Sequence, residues 1–153
     1  RQEKLNGYIT GAYIYNKMGL TEQVATTITI ATPNPVRRFR FKNLDIECVK
    51  AYCMVYPDES LVPYLRLLDA IKDMKRIPGT TGQDIYNRVK SQYFNGYSLP
   101  ELEKIVSLAK SYPPRVRKVV ADILGDIRQT VLQTEMAKTI LPTTRFNLDY
   151  KTA

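Results

Sequence analysis

The hydrophobic period of this chain changes once, near Pro57, and that change decides what it can fold into. Before Pro57 apolar residues alternate with polar ones, which is the period of a half-buried strand. After it they recur at helical spacing, as in Tyr64, Leu67, Leu68, Ile71 and Met74. Strands first and helices second, rather than the two interleaved, is the order of an α+β fold. The expected architecture is a short N-terminal helix, a small antiparallel sheet with a basic hairpin, and a helical half of four to five helices.

The strand half carries the sharpest local inference. Arg37 to Lys42 (RRFRFK) and Leu44 to Val49 (LDIECV) both alternate. A two-residue loop at Lys42-Asn43 pairs Phe41 with Leu44 and Phe39 with Ile46 on one face. It pairs Arg40 with Asp45 and Arg38 with Glu47 on the other, so opposite charges meet across the strands. A further strand is expected over Thr26 to Thr32, with Ile28 and Ile30 on one face and Pro33-Asn34-Pro35 as its stop. Thr10 to Leu20 reads as a short helix capped by Thr10 and ended by a left-handed Gly19.

The helical half reads as Ser60 to Arg76, Gly82 to Phe94, and a helix opened by a Ser98/Glu101 capping box with a Tyr97/Leu102 staple and running to Tyr112. A fourth helix starts at Pro114, and Gly125-Asp126 ends it and restarts the last, which fades near Ile140. The tail TRFNLDY, Thr144 to Tyr150, alternates and is expected as a short added strand. No internal repeat or long linker divides the 153 residues, so one domain is expected.

Composition narrows the chemistry. Histidine is absent, which removes the commonest general base and metal ligand. Two cysteines, Cys48 and Cys53, are too few for a zinc site and read as small hydrophobes. No metal or other cofactor is expected. Asp69, Asp73 and Asp84 are the carboxylates that a metal-dependent nuclease or transferase would use, but surface charge accounts for Asp69 and Asp73, with Lys72 as a helical partner. The eleven tyrosines include Tyr8, Tyr13 and Tyr15 near the N-terminus, which read as core packing before base stacking. The chain has no signal-peptide core and no membrane-length apolar run, so a cytoplasmic location is expected.

Charge is the positive clue. Twenty-three Lys and Arg against fifteen Asp and Glu give a net charge of +8, which favours polyanionic partners. One candidate contact is the hairpin group Arg37, Arg38, Arg40 and Lys42, with Lys50 nearby; the other is Arg115, Arg117 and Lys118 at a helix start, where cations face the positive dipole end. For both, a plain solvated face is the alternative.

One stretch carries a family signature. GAYIYNKMGLTEQVATTITIATPNPVRRFRFKNLDIE, residues 11–47, resembles the AbiEi-type antitoxins of bacterial type IV toxin–antitoxin (abortive infection) systems. Gly11, Asn16, Gly19, Leu20, Thr21, Gln23 and Val24 fall in the family pattern, as do Thr32, Arg38, Asn43 and Ile46. YPPRVRKVVADIL (112–124) is similar to a later helix of the family, and LPTTRFNLDY to a tail of some members. The resemblance implies a non-enzymatic antitoxin and transcriptional regulator in phage defence, countering a nucleotidyltransferase-like toxin. It implies operator DNA as a partner through an N-terminal winged-helix domain. Only ten residues precede Gly11, too few for that reader, so the chain is expected to be the C-terminal antitoxin domain of a longer protein. A stand-alone basic nucleic-acid-binding module is the alternative.

Overall fold

The computed structural model describes residues 7–33, 38–53 and 58–153. Arg37 and the Asn34-Pro35 stop lie outside the described residues. The chain runs through β1 (Tyr8–Thr10), α1 (Ala12–Lys17), β2 (Thr27–Thr32), β3 (Phe39–Phe41) and β4 (Leu44–Lys50). It continues through α2 (Val62–Asp73), α3 (Gly82–Gln92), α4 (Leu99–Ala109), α5 (Pro114–Asp126) and α6 (Thr130–Ala137). The α+β class and the sheet-then-helices order are as expected.

The sheet differs from the expected one in two respects. Its order is β1-β2-β4-β3, and β2 pairs with β4 in parallel, so the sheet is mixed rather than antiparallel. β3 folds back on β4 and occupies the edge, which leaves β4 to meet β2. The second difference is β1, antiparallel to β2 through Ile9↔Ile30. Thr10 therefore ends a strand instead of capping α1. Gly11 takes the cap position at φ 81, where a Cβ would strike the Thr29 side chain.

The hairpin register is the expected one: Phe39↔Ile46, Arg40↔Asp45 and Phe41↔Leu44. Lys42 and Asn43 both take positive φ, 50° and 65°, the geometry that matches strand twist in a two-residue loop. Gly19, at φ 77, ends α1. Its N–H donates to the Asn16 carbonyl and the Leu20 N–H to the Tyr15 carbonyl, so two orphan carbonyls are satisfied and Leu20 is fully buried.

The helices form one core of their own. Leu67, Leu68, Ile85, Val89, Ile105, Val120, Ile123 and Leu124 are sealed from solvent and belong to one cluster. Capping follows the sequence: the Ser98–Glu101 box is complete, Thr81 caps α3, and Pro114 opens α5. α5 stops at Asp126, Arg128 turns at φ 64, and α6 restarts at Thr130. Residues 141–153 form neither helix nor strand, so the expected tail strand does not exist. No helix among the described residues is long and apolar enough to cross a membrane.

Candidate functional site

Alternation and register assign every strand residue to one of two sheet faces. Tyr8, Thr10, Thr27, Thr29, Ala31, Asp45, Glu47, Val49 and Arg40 share one face; Ile9, Ile28, Ile30, Phe39, Phe41, Leu44, Ile46 and Cys48 share the other. The helices lie against the first. Tyr8 Oη and Thr10 Oγ1 both donate to Asp69 of α2, at 2.6 and 2.8 Å, and Tyr8 packs on the helical core. The second face points away, and its residues are not part of that core. Ile9, Phe39, Leu44 and Phe41 stay 40%, 44%, 47% and 57% exposed, whereas Ile28, Ile30 and Cys48 of the same face are half-buried and Ile46 is buried. The sheet thus turns hydroxyls inward and its apolar side outward.

Asp69 is the hinge of that arrangement and corrects the expected surface carboxylate. It is 3% exposed, and it also accepts from Tyr112 Oη at 2.7 Å. Burial pushes its carboxyl above the usual range, against the downward pull of the three hydroxyl donors. Lys72 pairs with Asp73 instead, at 3.5 Å. Asp73 also accepts from Tyr15 Oη at 2.7 Å and from Arg76 at 3.3 Å. These groups line a cleft of about 350 Å³ between the inner sheet face and the end of α2, together with Thr29 and Glu47. Every charge they carry is answered within the cleft or by Arg38. Asp84 sits apart, in the first turn of α3. Among the described residues, no three carboxylates or cysteines converge on a metal-sized site.

The ribbon formed by β3 and β4 brings together most of the first candidate group. Arg38 meets Glu47 at 3.0 Å and Arg40 meets Asp45 at 3.4 Å. Both guanidinium side chains remain about 70% exposed, so each pair contributes less than about 1 kcal/mol and leaves donors facing water. Lys42 stands 5.4 Å from the Phe41 ring at the loop, and Lys50 5.4 Å from the Tyr52 ring at the far end. Arg38 and Arg40, with their partners Glu47 and Asp45, therefore lie on the side of the ribbon opposite Phe39, Phe41 and Leu44, while Lys42 and Lys50 stand at its two ends.

The second candidate group is held differently. Arg117 donates to the Tyr112 and Thr139 carbonyls, at 3.0 and 2.5 Å, and clamps the start of α5 to the loop after α6. Lys118 pairs with Asp122 one turn on, at 2.9 Å. Arg115 donates to the Lys72 carbonyl at 3.3 Å and lies 4.0 Å from Asp149. Arg117 and Lys118 are answered by carbonyls and a carboxylate of the protein itself, whereas Arg115 Nε and one Nη are buried without a hydrogen-bond partner among the described residues. Among the described residues no hydrogen bond or ion pair joins this group to the ribbon.

The cysteines are half-buried: Cys48 on the outer sheet face, and Cys53 with its thiol raised by burial. Sequence reasoning grouped Phe39, Phe41, Leu44 and Ile46 correctly but had no signal for which side of the sheet the helices would cover. Comparison with protein-family models, with curated proteins and with solved structures finds no match to this chain.

Proposed function

We propose that this chain is a non-catalytic docking domain, the antitoxin and transcriptional-regulator component of a type IV toxin–antitoxin system. It would act by presenting the β3–β4 ribbon to an acidic partner or to nucleic-acid phosphates. The observation that carries the reading is the ribbon itself: exposed guanidinium groups on one side of it and exposed phenylalanine rings on the other. The antitoxin assignment rests on the residue 11–47 signature. In support, the signature residues occupy specific fold positions. Gly11 closes against Thr29, Gly19 ends α1, and Thr21 Oγ1 donates to the Pro78 carbonyl at 2.6 Å.

Co-expression with a nucleotidyltransferase-like toxin encoded beside it tests this. Growth is expected to be restored by the native chain and lost with Arg38→Glu/Arg40→Glu. Failure of the native protein to protect would sink the antitoxin reading.

The aromatic face favours one alternative, a stand-alone nucleic-acid module, because bases stack on such rings. That reading predicts direct binding to single-stranded oligonucleotides. Three or four neutralised phosphates would weaken it about 20- to 50-fold between roughly 50 and 200 mM salt. No binding at the lower salt concentration would leave the partner protein as the ligand of the ribbon.

A further inference from the structure

Residues 144–153 run against α3 and α5 outside any helix or strand. Their backbone is read by side chains. Gln83 accepts from the Lys151 N–H at 2.6 Å and donates to the Lys151 carbonyl at 3.3 Å, a two-way amide clasp. Asp126 accepts the Ala153 N–H on both oxygens at 3.1 Å, and Lys75 donates to the Asn147 carbonyl at 2.5 Å. One side chain is buried: Tyr150 stacks on Tyr86, ring centroids 4.2 Å apart and 11° from parallel, and donates to Asp122 at 2.7 Å. The Asp149 carboxylate lies where a Cβ on Gly82 would stand, beside Arg115. Arg145, Asn147, Leu148, Asp149 and Lys151 are exposed.

A single aromatic anchor, a neighbouring acid 4.0 Å from a half-buried arginine with unpartnered nitrogens, and backbone clasps indifferent to the residues between them are the features of peptide recognition. The helices that form the groove do not depend on the segment for their ends. Thr81 caps α3 through the Asp84 N–H, and the N–H groups of Ile127 and Arg128 satisfy the last carbonyls of α5. Exposed residues 141–143 connect the segment to α6, so the same contacts can be made between two chains without any new interface.

We propose that the α3–α5 groove is a recognition site for an extended acidic–aromatic peptide, filled here by the chain's own residues 146–153, and that it also accepts this segment from a second copy. The cis segment competes at an effective concentration on the order of millimolar, which keeps the groove closed in dilute solution.

The test uses full-length chains. A labelled peptide spanning residues 144–153 is titrated by fluorescence anisotropy into the native protein, into Tyr150→Ala, and into Tyr150→Ala/Gln83→Ala. Tyr150→Ala is expected to bind roughly tenfold or more tightly than the native chain, and the Gln83→Ala change is expected to undo this. Sedimentation of Tyr150→Ala mixed with Gln83→Ala/Asp122→Ala is expected to give a heterodimer that neither forms alone, since one supplies the groove and the other the segment. If circular dichroism shows Tyr150→Ala unfolded, Tyr150→Phe replaces it, with a gain of a few-fold over the native chain. No saturable binding to the folded variant, equal binding to native and variant chains, or a mixture that sediments as its separate parts would overturn the proposal.

Discussion

The two faces of the sheet are built from opposite chemistry, and the inner one is the more polar. Threonine and tyrosine hydroxyls meet the helices there, while isoleucine, phenylalanine and leucine look outward. In most small α+β proteins apolar burial joins sheet to helices. Here the helices complete a core among themselves, and the sheet is joined through Asp69 and the hydroxyls of Tyr8 and Thr10, with Tyr112 steadying the same carboxylate from the helical side. The attachment of the sheet therefore combines hydrogen bonds to Asp69 with the packing of Tyr8, and Phe39, Phe41 and Leu44 of its outer face remain exposed.

The harshest way to break this contrast is Asp69→Ala, which leaves three hydroxyls without their acceptor. A loss of about 3 kcal/mol or more is expected in urea unfolding; a change below about 1 kcal/mol would show that apolar contact holds the sheet after all. Next in size is the pH behaviour of the same group. A carboxyl raised in the folded state binds its proton more readily there than in the unfolded chain. Its contribution therefore falls as pH rises from the ordinary carboxylate value through the folded one, and recovers on acidification. Comparing the native chain with Asp69→Asn from pH 7 downward, the native advantage should widen as acid is added. Asp126 has the opposite sign, lowered by Tyr86, Lys90 and the Ala153 N–H against burial that raises it, so its contribution is lost in acid in both chains.

Gly19→Ala isolates a purely local effect. A Cβ at φ 77 costs about 1–2 kcal/mol, read as a fall in melting temperature of several degrees. Smallest of all is Phe41→Ser on the outer face. Stability should move by no more than about 0.5 kcal/mol, while affinity for whatever ligand the ribbon takes should drop. A loss of several kcal/mol would mean that the outer face is packed in the isolated chain.

Sequence patterning located what is local. The ribbon register followed from two faces satisfied together, Phe39 with Ile46 and Arg40 with Asp45, and the caps at Ser98 and Pro114 from side-chain chemistry within one turn. What it missed depends on distant partners. β1 spans three residues and exists because β2 lies beside it. The parallel β2–β4 pairing has no signal in either strand. Asp69 did leave a trace: Leu67, Leu68, Ala70 and Ile71 surround it, a helix apolar on nearly every side, so a carboxylate among them had no path to water. The tail alternates as a strand would but takes no strand structure, and the alternation follows half-buried Thr144 and Phe146 and buried Tyr150. Of the candidate contacts, Arg38, Arg40 and Lys42 share the ribbon, whereas Arg115 and Arg117 hold neighbouring carbonyls. No count of charges distinguishes those two situations.

The shortness of the outermost strands governs how this molecule can meet others. β1 and β3 offer three residues each, and the Ile9 carbonyl on the β1 side is occupied by Arg66 Nε at 2.8 Å. Lateral addition of strand upon strand, the route to fibres, finds little purchase on either border. Among the described residues a sticky surface is thus displayed beside edges of only three residues, and a partner for the sheet would approach it broadside.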